Sequence, residues 1–157
     1  MTADDWAAVS RIYGEGIATG NATFATEIPD WQKWDSSHLP NCRLIASHGK
    51  EVLGWAALSP VSARQVYAGV AEVSVYVAAS GRRAGIGKAL LQALIHESER
   101  CGIWTLQAGI FPENIASVSL HKSLGFREVG VRRKIGKMGN QWRDVLLLER
   151  RSSISGT

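Results

Sequence analysis

Between residues 70 and 110 the chain reads as a strand, a short loop rich in glycine and arginine, a long helix and a second strand. This unit constrains the fold more than any other segment. Val70-Ala-Glu-Val-Ser-Val-Tyr-Val77 carries β-branched residues on both faces, the pattern of a strand covered on both sides. Gly85 to Arg100 places Leu90, Leu91, Leu94 and Ile95 on one helical stripe, with Gly102 beyond its end. Trp104 to Ile110 returns as a strand. Strand, helix and strand in succession call for a crossover connection within one sheet.

The flanking segments add antiparallel material. Thr2-x-x-Asp5 has the form of a capping box before Trp6, Val9, Ile12 and Tyr13, which recur at helical spacing up to a stop at Gly20. Residues 30–39 form a second short helix with Trp31 and Trp34. Arg43 to Ser47 and Glu51 to Leu58 read as a hairpin turning at His48-Gly49-Lys50. Asn114 caps a helix that runs through Leu124 and ends at Gly125, and two strands follow near Phe126–Arg132 and Trp142–Glu149. The expected fold is α+β: one mixed, mostly antiparallel sheet with helices on both faces, in a single domain spanning residues 1–157.

Composition narrows the function. Hydrophobic residues at 45% and charged residues at 20% describe an ordinary globular chain rather than a disordered one. No apolar run reaches the length of a membrane span, and the acidic start Met1-Thr-Ala-Asp-Asp-Trp6 is unlike a secretory leader, so a cytoplasmic protein is expected. Cys42 and Cys101 show no metal-ligand spacing and read as two small buried hydrophobes; no metal site is expected. Residues 1–78 hold five Lys and Arg against eight Asp and Glu, whereas residues 79–157 hold thirteen against six. A basic half suits a polyanionic partner, either nucleic acid or a phosphate-rich cofactor. Against nucleic acid, Arg132-Arg133-Lys134 is the only basic run of three, and no stacking aromatics interrupt it.

Arg82-Arg83-Ala84-Gly85-Ile86-Gly87-Lys88 joins the strand to the helix. A helix start offers unpaired N–H groups and a positive dipole end, and two glycines let a phosphate approach the backbone. The loop lacks the spacing of a P-loop or of the dinucleotide fingerprint, and structural turn chemistry is the other explanation for its glycines. The run Val73-Ser-Val-Tyr-Val77, then Arg82-x-x-Gly85-x-Gly87 and Ala89-Leu-Leu-x-x-Leu94, resembles the acetyl-CoA signature of the GNAT N-acetyltransferase superfamily. Asn114-x-x-Ser117-x-x-Leu-His-x-x-Leu-Gly-Phe126 is similar to that family's second cofactor segment. With Trp142-Arg-Asp-Val145 the pattern resembles the phosphinothricin acetyltransferase branch. Gly20-Asn-Ala-Thr-Phe24, Gly54 to Pro60 and Gln107 to Asn114 look like the arsinothricin acetyltransferases within it.

The resemblance implies acetyl-CoA as cosubstrate, with Val75 and Val77 pairing with the pantetheine arm and Tyr76 adjacent. Arg82, Arg83, Ala84, Gly85, Ile86, Gly87 and Lys88 would surround the pyrophosphate. Asn114 and Ser117 would meet the pantetheine, although Asn114 also reads simply as a helix cap. The implied acceptor is the α-amine of a glutamate-mimic toxic amino acid of the phosphinothricin, arsinothricin or methionine sulfoximine class, and acetylation would confer resistance. Another small amine, or a CoA-binding regulator without activity, is the alternative. The protein would be a homodimer acting on a small molecule, without nucleic acid or membrane.

For the chemistry, Glu72 is the only acid in its strand and the candidate general base, unless it faces solvent. His121 is the candidate proton donor to the leaving sulfur, or a packed helix histidine. Arg64 and Tyr67, just upstream of Glu72, would read the acidic ends of the acceptor, with Phe24 as a pocket wall; a solvated loop arginine and a core phenylalanine are the plainer readings. His38, His48 and His96 read as surface residues. Ser62, the Arg83-Ala84 pair and the segment 134–141 depart from the family pattern.

Overall fold

The computed structural model describes residues 1–157. Its ten main elements run α1 (Trp6–Ala18), α2 (Trp31–Ser37), β1 (Leu44–His48), β2 (Glu51–Pro60), β3 (Val70–Val77), α3 (Ile86–Arg100), β4 (Thr105–Ile110), α4 (Ile115–Ser123), β5 (Arg127–Met138) and β6 (Gln141–Arg151). The strands form one sheet in the order β1-β2-β3-β4-β6-β5. Only β3 and β4 pair in parallel, across the crossover helix α3; every other neighbour is antiparallel.

Alternation along β2 divides the core. Ala56 and Leu58 face α3, together with Leu90, Leu91 and Leu94, Leu106 and Leu148. Trp55 and Ala57 face the other way, against Val9 and Ile12 of α1 and Trp34 of α2. Helices therefore cover both faces of the sheet, the arrangement expected from the mixed order of elements. No helix is long and apolar enough to cross a membrane.

Local chemistry explains the boundaries. The Asp5 carboxylate accepts the Thr2 N–H at 2.7 Å and starts a short 3₁₀ turn that leads into α1. The Asp30 side chain accepts the Lys33 N–H at 2.8 Å and caps α2. Two expectations need correction. The fifth strand does not stop at Arg132. Lys134 takes a left-handed conformation, φ 48°, and its N–H donates to Asp144 Oδ1 at 2.7 Å, so the strand bulges and then continues to Met138. The cysteines are not both buried: Cys42 is, but Cys101 caps α3 and is exposed. Their thiols are neighbours in space, and burial pushes the Cys42 thiol up to about 12.

Candidate active site

The parallel pair β3–β4 opens partway along its length. Val70 C=O accepts from Val61 and Ala78 N–H donates to Leu53, so even-numbered residues of β3 turn their main chain toward β2 and odd-numbered ones toward β4. Pairing with β4 ends at Glu72–Gln107. The amides of Val75 and Val77 therefore face β4 without a strand to meet them, and unpaired main-chain groups of this kind require another partner. Two cavities flank this opening.

The larger, of about 810 Å³, runs from the opening to the start of α3. Val75, Tyr76, Val77, Arg82, Arg83, Gly85, Ile86, Gly87, Lys88, Asn114 and Ser117 all line it, whereas Ala84 does not. Gly85 is left-handed at φ 77°, a conformation in which a side chain would be strained, and it turns the loop into α3 with the first helical N–H groups free. Arg82, Arg83 and Lys88 make no ion pair within the chain. Free amides, a helix dipole and three unpaired cations around one cavity fit a diphosphate.

The second cavity, of about 510 Å³, adjoins the first at Tyr76 and is lined by Glu72, Phe24, Phe111, Gln107 and His38, among others. Glu72 is half-buried, and its Oε2 accepts from Gln107 Nε2 at 2.7 Å, so β4 holds the carboxylate that β3 supplies. Phe24 packs edge-on against Phe111 at 4.8 Å. A side chain at Gly136 would come within 2.5 Å of the Phe24 ring, so the bulged β5 approaches this wall closely.

Both cavities share Asn21, Ala22, Val75, Tyr76, Asn114, Ser117 and His121, which form the partition where they meet. Tyr76 is wedged between Tyr13 and Trp55, and burial raises its phenol above the ordinary range. Asn114 caps α4 through Ser117 N–H at 3.3 Å and donates to the Asn21 carbonyl at 3.2 Å. Arg143 lines neither cavity but braces this region from behind. It donates to Gly20 O at 2.9 Å and Asn21 Oδ1 at 2.8 Å, and its guanidinium lies 3.9 Å from the Phe111 ring centre. Arg143 was visible in the sequence only as part of the Trp142-Arg-Asp-Val145 run.

His121 is 4% exposed, and its Nδ1 lies 2.8 Å from the Ser117 carbonyl. A carbonyl only accepts, so Nδ1 carries the proton and Nε2 presents a lone pair. That Nε2 is buried with no partner in the chain. Burial lowers the His121 pKa, against the opposing pull of the Ser117 bond. Because the folded value lies below the unfolded one, its contribution to stability is complete above about pH 6.5 and is lost as pH falls through the depressed value. We expect His121→Gln to flatten the acid side of the stability profile, measured by urea unfolding between pH 7 and 5. An unchanged slope would show that His121 does not contribute to it.

Three placements differ from the sequence expectations. Arg64 and Tyr67 line neither cavity; a 3₁₀ turn over Gln65–Tyr67 carries both to the surface, where the guanidinium sits 5.5 Å over the phenol ring. His38, expected at the surface like His48 and His96, is half-buried in the wall of the smaller cavity. Burial lowers its pKa; the Trp34 carbonyl and Asp35 act upward and Arg43 acts downward. Arg132, unassigned from sequence, lines the same cavity. No group of side chains is arranged to hold a metal ion.

Known proteins share this fold and are similar in sequence. Residues 7–126 match the acetyltransferase (GNAT) family. A phosphinothricin N-acetyltransferase of Streptomyces coelicolor is 34% identical over 156 residues, covering 94% of this chain and 91% of that protein. An L-methionine sulfoximine/L-methionine sulfone acetyltransferase of Pseudomonas paraeruginosa is 36% identical over 107 residues, 68% of this chain and 62% of that protein. The crystal structure of a GNAT superfamily phosphinothricin acetyltransferase from Sinorhizobium meliloti, in complex with acetyl-CoA, superposes with a TM-score of 0.88 at 25% identity, covering 99% of this chain and 88% of that one.

Proposed function

The chain belongs to the GNAT acetyltransferase family and is an N-acetyltransferase, and from that premise we propose that it acetylates the α-amine of a glutamate-mimic toxic amino acid. Phosphinothricin, arsinothricin and methionine sulfoximine are the members of that class in view, and the consequence would be resistance. The observation that carries this reading is the pair of cavities meeting at one partition, with a carboxylate on one side and a diphosphate-type cradle on the other.

Acetyl-CoA, bound in the larger cavity, would supply the electrophilic thioester. The chain's residues have separate tasks. The 82–88 turn holds the diphosphate with backbone N–H groups and three cations. Val75 and Val77 offer their unpaired main-chain groups to the pantetheine arm, alongside Asn114, and the Val75 amide is placed to stabilise charge developing on the carbonyl oxygen. Glu72 accepts the proton that an α-ammonium, with a pKa near ~8, must lose before it can attack. His121, with its bare Nε2 in the partition, takes up a proton and returns one to the departing sulfur. Holding both reactants across a single partition supplies further acceleration through orientation.

Two relatives support the acceptor class, since their names specify phosphinothricin and methionine sulfoximine or sulfone. A thiol-release screen with acetyl-CoA tests it, using phosphinothricin, arsinothricin, methionine sulfoximine, glutamate, a polyamine and an aminoglycoside at equal concentration. We expect thiol release with the glutamate mimics well above the no-acceptor rate. Release only with the polyamine or aminoglycoside would overturn the assignment.

A further inference from the structure

The acceptor cavity has two poles of opposite hydrogen-bonding character. At one lies His38, its ring flat on Trp34 with centroids 4.0 Å apart and planes at 18°. Its Nδ1 is 2.7 Å from the Trp34 carbonyl, so this nitrogen carries the proton. The Ser37 hydroxyl is 3.0 Å from the same nitrogen and donates to the same carbonyl. Nε2 is left with a lone pair, no partner in the chain, and no enclosure by it. The residue lines the cavity together with Glu72, which is also an acceptor when ionised.

This imidazole is held in place rather than hanging in a loop. Arg43 donates to the Leu39 carbonyl at 2.6 Å, the Asp35 carbonyl at 2.9 Å and the His38 carbonyl at 3.0 Å, and pairs with the Asp35 carboxylate. The opposite pole is Arg132, which lines the cavity from β5 at one edge of the sheet, whereas the His38–Leu39 segment is tied to β2 toward the other edge. A guanidinium only donates, and no carboxylate of the chain pairs with this one.

A ligand that satisfies both poles must bring N–H donors to one end and an anion to the other. Turned the other way, its anion would face two acceptors while its cation met an arginine. We propose that His38 and Arg132 set the orientation of the acceptor. His38 Nε2 receives an N–H of the acceptor's ammonium beside Glu72, and Arg132 pairs with the acceptor's distal anionic group. The proposal rests on the reading of this cavity as the amine-acceptor site.

Three variants of the full chain test it. His38→Phe keeps an aromatic ring against Trp34 but removes the lone pair; His38→Gln restores an acceptor; Arg132→Gln removes the cation. A hydrogen bond to a charged group is worth a factor of about ten or more in affinity. His38→Phe should therefore raise the acceptor KM by about that factor for every amino acid, leave the acetyl-CoA KM unchanged, and be partly rescued in His38→Gln. Arg132→Gln should raise KM about as much for phosphinothricin, whose distal group is anionic, and leave methionine sulfone, whose distal group is neutral, within about twofold. An unchanged acceptor KM in His38→Phe, or an equal change for both amino acids in Arg132→Gln, would overturn the proposal.

A readout without turnover accompanies these. In 15N NMR of the unaltered enzyme, phosphinothricin added without acetyl-CoA should shift the His38 Nε2 resonance. A resonance that stays fixed at saturating phosphinothricin would also overturn it. Failure of the underlying reading looks different, because the unaltered enzyme would then release no thiol with any amino acid.

Discussion

Replacing Glu72 with glutamine should lower kcat by a factor of about 10²–10⁴, the usual range for loss of a general base, while acetyl-CoA affinity stays the same. The geometry isolates the proton-accepting role. Glutamine has nearly the same shape, and its amide can still bond the Gln107 side chain that now donates to Glu72 at 2.7 Å. The backbone of residue 72 keeps its register between Ser59 and Gln107, so the sheet that shapes both cavities remains. Only the ability to take a proton from the ammonium disappears. As pH rises past ~8 the amine loses that proton unaided, so the gap between variant and parent should narrow. Stopped-flow turnover against pH, with acetyl-CoA binding measured by calorimetry, decides it. A parallel loss of turnover and of cofactor affinity would indicate a structural role.

Arg43→Ala should cost about 3 kcal/mol of stability, in the range for breaking a buried hydrogen-bonded network. For a chain of this length that is on the order of 10 °C in Tm. The side chain is 9% exposed, and its guanidinium satisfies three carbonyls, pairs with Asp35 and lies 5.2 Å from the centre of the Trp34 ring. Removing it leaves the Leu39 and His38 carbonyls without partners, leaves the Asp35 carbonyl only the His38 N–H, and frees the end of α2, so the acceptor KM should rise along with the loss of stability. Differential scanning calorimetry measures the first effect. A Tm within a degree or two of the parent would show that water replaces the guanidinium at little cost.

The strand–loop–helix at 70–100 could be read from sequence because its signals are local. Alternation sets β3, the leucine stripe sets α3, and two glycines mark a turn that must run left-handed at Gly85. The residues that the family resemblance implies for the cofactor all line the larger cavity except Ala84. The acceptor side was less legible because it is assembled over long range. His38 looks like a polar residue after a short helix, and only packing on Trp34 and the Arg43 fork turn it inward. Arg132 reaches the cavity from the far edge strand, where it stands opposite Val145, itself a lining residue, a pairing that no local pattern announces. Arg64 sits close to Glu72 in sequence, yet the turn between β2 and β3 faces outward. Nearness along the chain was a poor guide where a turn intervenes.

A crystal structure with coenzyme A and a non-reactive amino acid would test the site assignment most directly. We expect the diphosphate against the amides that open α3, the pantetheine lying along Val75 and Val77, and the sulfur at the partition within reach of an amine held by Glu72. A nucleotide seated away from the 82–88 turn, or a sulfur that ends on the far side of the sheet from Glu72, would contradict the assignment.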